Sequence, residues 1–403
     1  MIDIRSQFPI LTARPGLVYL DSAATSLTPT SVIDAISSYY GTLSSNVGRG
    51  LYATAEETTS HFEAVREQTA KFLGADADEI VFTRNTTESI NLLASVLEDR
   101  IHEGDNIVVT ALEHHSNFLP WKRLAGRRGA ELRIVPFGED GSLDLQQARG
   151  YIDSRTKVFA FSAISNVLGA TNPVAELIRV AKETNPNILT VVDAAQAAGH
   201  SHIDVREWNC DFLAFSGHKC FGPTGIGVLY GKEAILSTLP PYQVGGGMVQ
   251  DASAEETAYK DSPHRFEAGT PDIAAVFGLG AALDFVEEVG IDAIHGYEST
   301  LATKAVALLH ETFGNDIQVF GPTSTRQSGI VSFTLDGIHP HDIAHILGEH
   351  DICVRAGEHC AAPLHRILSL PATARATFSI YNTEEDVQAF IEGLKTAVNL
   401  FRT

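Results

Sequence analysis

Between residues 17 and about 260, short apolar runs rich in β-branched residues alternate with helix-forming stretches. This alternation restricts the fold more than any other feature of the chain. The runs fall at 79–83, 106–110, 131–136, 157–162, 188–192, 211–215 and 226–230. Several are apolar almost throughout, the pattern of strands buried on both faces. Amphipathic stretches at 56–73, 87–98, 118–128, 143–150, 173–184 and 231–236 lie between many of them. The alternation predicts an α/β fold with a large, doubly wound, mostly parallel sheet. Ligands in such sheets sit beyond the carboxyl ends of the strands. Past residue 270 the texture changes. Two long helices, 273–288 and 291–312, precede a smaller α+β unit with strands 329–334, 351–355 and 374–380, a helix at 341–348 and a final helix from about 384. Thr383 and Asp386 form a capping box for that helix. We expect a large domain over 17–285 and a smaller C-terminal domain over 286–403, with residues 1–16 packed near the latter.

The 403-residue length and 44% hydrophobic content suffice for cores of this size. A net charge of -21 argues against nucleic acid and against anionic membrane surfaces as partners. The four cysteines, Cys210, Cys220, Cys353 and Cys360, form no C-x-x-C pair, so neither a zinc ribbon nor a disulfide framework is expected, and no metal. The first residues lack a basic leader before an apolar core, and no run of about 18 apolar residues occurs, so the expected location is the cytoplasm.

Chemistry-bearing residues collect just after the strands. In SGHKCFGPTGIG (216–227), Lys219 sits in a turn flanked by Ser216 and His218. A lysine there can form an imine with a carbonyl cofactor if its surroundings lower its pKa. In VVDAAQAAGH (191–200), Asp193 ends an apolar strand, where a buried carboxylate needs a cation or strong hydrogen bonds. A protonated pyridine nitrogen is such a cation, and Gln196 is three residues on. Thr86 and Thr87 open a helix after strand 79–83, an arrangement suited to phosphate and equally to plain helix capping.

In LEHHSN (112–117), a histidine at a strand end can stack on an aromatic cofactor, but the residues do not say whether His114 or His115 faces the ligand. In RAGEHCAAP (355–363), Cys360 lies in a short loop, where Arg355 and His359 favour its thiolate and Glu358 opposes it. Arg375, in the following strand, offers a guanidinium fork for a carboxylate. A nucleotide-binding α/β enzyme is excluded by the lack of a G-x-G-x-x-G or Walker loop after an early strand.

With these motifs, and with YLDSAATS (19–26), SNVLGATNP (165–173), RFEAGTPD (265–272) and RATFSIYN (375–382), the chain resembles the class V aminotransferase family of fold-type-I pyridoxal-phosphate (PLP) enzymes. The R-A-G-x-H-C-A-x-P loop is similar to that of the cysteine desulfurase and selenocysteine lyase branch with a short cysteine loop. The resemblance implies that Lys219 is the Schiff-base lysine, Asp193 binds the pyridine nitrogen and Gln196 the phenolic oxygen. It makes His114 the stacking residue. It gives Thr86, Thr87, Ser216 and His218 to the phosphate, and Thr270 to the phosphate of a neighbouring subunit in a homodimer. Asn166 and Arg375 would hold the substrate carboxylate, Arg355 would lie nearby, and Cys360 would attack sulfur.

The implied reaction takes sulfur from L-cysteine, leaving L-alanine and a persulfide on Cys360 for transfer to an acceptor protein in iron–sulfur cluster assembly. Selenocysteine lyase, another lyase or epimerase of the family, and a non-catalytic sulfur-relay scaffold are the alternatives. Two departures stand out. NVGRGLYAT (46–54) lacks two histidines common in the family but keeps Arg49, and Glu358 replaces a neutral or histidine side chain beside the cysteine.

Overall fold

The structure is a computed structural model and describes residues 4–138, 140–322 and 326–401. In chain order the strands are β1 (Val18–Tyr19), β2 (Ile80–Thr83), β3 (Asn106–Thr110), β4 (Glu131–Val135), β5 (Thr156–Ser162), β6 (Leu189–Asp193), β7 (Phe212–Ser216) and β8 (Gly227–Gly231). They continue with β9 (Val249–Ala252), β10 (Thr257–Tyr259), β11 (Ile317–Phe320), β12 (Ile330–Leu335), β13 (Ile352–Cys353), β14 (Arg355–Gly357) and β15 (Thr373–Thr377).

Among the described residues the large sheet has seven strands, ordered β2-β8-β7-β6-β5-β3-β4. Strands β3 to β7 pair in parallel, and only β8 runs against its neighbours β2 and β7. This is the doubly wound, mostly parallel α/β sheet expected. Its strands feed two separate cores. Val108, Phe159 and Phe161 point into one, whereas Ile107, Val109, Val158 and Ala160 point into the other. Alternate residues of one strand face opposite sides of a sheet, so a strand covered on both faces must be apolar throughout. At about 1.5–3 kcal/mol for each large side chain fully buried, these strands leave little freedom of register.

The parallel arrangement also builds the site. Strands running the same way end along one edge, and Ser162 pairs with Asp193 and Asp193 with Ala214 at that edge. Strand β2 runs antiparallel to β8, which runs antiparallel to β7, so β2 ends on the same side. The turns after β2, β3, β5, β6 and β7 therefore converge.

The C-terminal part carries an antiparallel sheet ordered β11-β12-β15-β14. Helices Ile291–Phe313, Pro340–Glu349 and Glu384–Phe401 share a third core with it, through Leu301, Ile343 and Phe390 against Val331 and Phe333. The capping box is present: Thr383 N–H donates to Asp386 (3.2 Å) and Asp386 N–H to Thr383 Oγ1 (3.3 Å). The N-terminal segment ties the parts together. β1 pairs with β13, Asp21 bridges to Thr377, and Arg5 binds Asp386 at 2.8 Å. The expected strand 351–355 is interrupted: β13 joins β1, whereas β14 joins β15. Among the described residues no helix is long and apolar enough to cross a membrane.

Candidate active site

A cavity of about 300 Å³ opens where the strand ends meet the C-terminal sheet. Twelve of the thirteen candidate residues line it: Thr86, Thr87, His114, Asn166, Asp193, Gln196, Ser216, His218, Lys219, Arg355, Cys360 and Arg375. Thr270 does not. It lies at a separate cavity of about 770 Å³ with Asn46, Arg49, Lys260 and His264.

Lys219 closes the short turn Gly217–Lys219 that ends β7. Among the described residues its amine has no hydrogen-bonding partner. Enclosure by protein drives its pKa down to about 8, against the pull of Asp193 and with the push of Arg375. A free amine is thus available near neutral pH. Asp193, at the end of β6, is buried and accepts one hydrogen bond, from Ala195 N–H (2.9 Å). Burial raises its pKa, so it is a carboxylate short of a cation. Gln196 is oriented by donating to the Ala23 carbonyl (2.8 Å).

At the opposite end, helix Thr86–Val96 points its N-terminus into the cavity, capped by Asn85, whose side chain accepts from Glu88 N–H. Ser216 Oγ accepts from Thr86 N–H (2.9 Å), and Thr87 Oγ1 pairs with Ser116 Oγ (2.7 Å). The helix N-terminus at Thr87 and the hydroxyls of Thr86, Thr87 and Ser216 form an anion cradle. Burial lowers the pKa of the adjoining His218 to about 4, so it serves as a neutral donor.

His114 and His115 divide their work. His114 caps helix His115–Arg128 and lines the cavity, its Nδ1 accepting from Ser116 N–H (3.1 Å). Burial, with Lys219 next, lowers its pKa to about 3, so it presents a neutral ring. Behind it Glu113 is fully buried and receives hydrogen bonds from Ser162, Thr110 and Asn117. Burial nonetheless lifts its pKa to about 7.

The wall opposite the strand ends carries the thiol and two arginines. Cys360 is exposed, whereas Cys210 and Cys220 are buried. Arg375 is 2% exposed; it donates to the Asn166 carbonyl (2.7 Å), and its Nε is buried without a partner. Burial depresses its pKa to about 10, which leaves it charged. Asp21 receives Arg355 Nη2 (2.9 Å) and Arg375 Nη2 (3.4 Å). Asn166 Nδ2 donates to the His359 carbonyl (2.8 Å).

One expectation needs correction. His359 does not lend positive charge to Cys360: burial, then Arg375, lowers its pKa to about 2, and its Nε2 pairs with Thr373 Oγ1 (2.9 Å). Residues that the sequence reading passed over include Asn85, Ser116, Ser162 and Asp21. Ser116 and Asp21 stand inside motifs already singled out, but their contacts to Thr87 and Arg355 are tertiary.

The donor set fits a flat, phosphorylated pyridine aldehyde. It offers an amine for the aldehyde, an unpaired buried carboxylate for the ring nitrogen and a helix N-terminus for the phosphate. It also offers a neutral ring for stacking.

Comparison with known proteins gives the family. The sequence pattern of the family described as aminotransferase class-V matches residues 18–390. A probable cysteine desulfurase of Streptomyces coelicolor is 44% identical, over 99% of this chain and 97% of its own. The apo cysteine desulfurase of Thermococcus onnurineus superposes with a TM-score of 0.94 at 40% identity, covering 98% of both chains. The cysteine desulfurase CsdA of Escherichia coli (S-sulfonic acid) does so with 0.91 at 38% identity, again over 98% of both chains. With its strand ends, lysine turn and anion cradle arranged in this way, the chain belongs to the class V aminotransferase family.

Proposed function

We propose that the protein is a PLP-dependent cysteine desulfurase that moves the sulfur of L-cysteine onto Cys360 and releases L-alanine. The observation that carries this reading is the placement of an unpaired, enclosed amine (Lys219) and an exposed thiol (Cys360) on walls of one cavity that also holds Arg375. Relatives of matching length carry the same activity in their names.

Residues Lys219, Asp193, Gln196, His114, Thr86, Thr87, Ser216 and His218 would hold the cofactor. When bound, that group supplies an electron sink for the bonds at the substrate's Cα and Cβ. The chain's own residues do the rest. Arg375, with Asn166 and Arg355 beside it, fixes the substrate carboxylate and so orients Cα and sulfur. Lys219, with its lowered pKa, takes the Cα proton as a free amine. Asp193 stays ionised against a cationic ring nitrogen. Cys360, as thiolate, attacks the substrate sulfur. The S–S bond forms, the Cβ–S bond breaks with its electron pair left on carbon, and protonation of that carbon, with return of a proton from Lys219 to Cα, completes alanine. The persulfide then passes to an acceptor protein.

We propose a division into two domains near 285/286, within helix Ile273–Val289, which would put Lys219 on one body and Cys360 and Arg375 on the other. Thr270 lies away from its own chain's cavity, so the phosphate role assigned to it requires a second copy, and we infer a homodimer.

Two expected outcomes arise here. Covalent capture of added PLP by Lys219 accelerates with pH through about 8 and levels off above it, because only the unprotonated amine has a lone pair to give. An unperturbed lysine would show the same rise near 10.4. Stopped-flow visible absorbance on the apo protein separates the two.

Arg375→Lys raises the KM for L-cysteine by about 10- to 100-fold. Charge-assisted hydrogen bonds are worth about 1.5–3 kcal/mol, and an ammonium cannot reproduce the planar fork. Steady-state kinetics with the cofactor spectrum unchanged checks it.

The function itself is tested by supplying the PLP-loaded protein with L-cysteine and a reductant. Equal release of alanine and sulfide supports the desulfurase. Turnover of L-selenocysteine or other amino acids, with none of L-cysteine, overturns it.

A further inference from the structure

Cys360 lies in a backbone conformation that needs support. His359 and Cys360 have φ of 49° and 55°, two adjacent non-glycine residues in the left-handed region. Such a pair persists only when its surroundings over-determine it. One support lies within the loop, where Ala361 N–H donates to the Glu358 carbonyl (2.8 Å) and closes a turn over the two residues; the others come from the strand-end side of the cavity. Asn166 Nδ2 donates to the His359 carbonyl (2.8 Å). His115 N–H donates to the Cys360 carbonyl (2.7 Å), and His115 Nε2 accepts from Ala362 N–H (3.2 Å). His115 thus grips the loop on both sides of Ala361, with its main chain and with its ring.

We propose that His115 is a positioning residue that latches the Cys360 loop to the turn after β3 and thereby aims the thiol. The proposal rests on Cys360 being the sulfur nucleophile. Its neighbour His114 lines the cavity from the same turn. Two consecutive residues therefore set the ring-stacking surface and the thiol's anchor, and their spacing is fixed by one helix start. For Nε2 to accept, the imidazole must be neutral with its proton on Nδ1. Substitution of His115 removes only the ring contact and leaves the main-chain bond. The loop should loosen without losing the fold.

The experiment uses PLP-loaded wild type, His115→Ala and His115→Gln. The glutamine carbonyl can still accept from Ala362 N–H. Three quantities are read: the single-turnover rate of persulfide formation on Cys360, the KM for L-cysteine, and the alkylation rate of Cys360 by iodoacetamide, mapped by peptide. His115→Ala should slow persulfide formation by about tenfold, within the loss that a misplaced reacting group brings. It should raise Cys360 alkylation and leave KM and the cofactor spectrum unchanged, and His115→Gln should recover most of the rate.

Wild-type persulfide rate and alkylation in His115→Ala overturn the latch alone. So does joint loss of cofactor and KM that His115→Gln does not repair, since that marks general damage. Absence of persulfide from wild-type Cys360 overturns the underlying nucleophile assignment, and the latch with it.

Discussion

Lys219→Ala is expected to lower turnover of L-cysteine by about 10⁴-fold, the upper end of what a positioned proton-transferring group contributes. The reasoning starts from burial. Lys219 occupies a site where an ammonium is disfavoured, and its strongest compensating charge, Asp193, would be engaged by the cofactor's ring nitrogen in the proposed holoenzyme. The amine is therefore both a good nucleophile toward an aldehyde and a good acceptor for a Cα proton. Alanine removes both abilities at once. The fold should survive, because among the described residues the amine makes no hydrogen bond that alanine would break. Thermal unfolding of the apo protein near the wild-type temperature, together with loss of covalently held cofactor, is the expected pair of results. Wild-type turnover in this variant would place the chemistry elsewhere.

Cys360→Ala is expected to separate binding from sulfur transfer. The side chain is exposed and at the cavity wall, so truncation leaves no buried void. Cofactor capture and the KM for L-cysteine should stay at wild-type values. Alanine release should fall by on the order of 10⁴-fold or more, as when other catalytic nucleophiles are deleted. The remaining cysteines offer no substitute. Cys210 and Cys220 are buried, and burial raises both thiols well above their ordinary range. Cys353 is half-buried in β13, whose pairing with β1 fixes it away from the cavity. Kinetics of alanine formation alongside cofactor absorbance check this split.

Much of the fold was legible because a strand buried on both faces leaves a continuous apolar record. Asn106–Thr110 and Leu189–Asp193 appear within a residue of where the apolar runs place them. Helix starts were less legible. Helix Ala53–Leu73 begins three residues before its expected start, and helix His115–Arg128 likewise. Their first turns, ATA and HSN, carry no apolar periodicity to announce them. Helix Thr30–Ser38, the hairpin β9–β10 and edge strand β11 were not anticipated; they are short, and the hairpin is largely exposed.

At the site, residues whose role depends on position along a strand were readable: Asp193 at a strand end, Lys219 in a glycine-flanked turn. Residues whose role depends on contacts were not. Nothing in two adjacent histidines says that one is a helix cap facing the cavity and the next grips a loop about 245 residues away. The protonation of His359 likewise follows from burial and from Arg375, not from its place beside Cys360.

The central claim is that substrate sulfur passes to Cys360. It is tested most directly by a single turnover of PLP-loaded protein with L-cysteine and no added thiol, followed by peptide mapping by mass spectrometry. The account predicts one extra sulfur atom on the peptide carrying Cys360, in step with alanine, and none in Cys360→Ala. Extra sulfur on another cysteine, or alanine formed at the wild-type rate by Cys360→Ala, would contradict it.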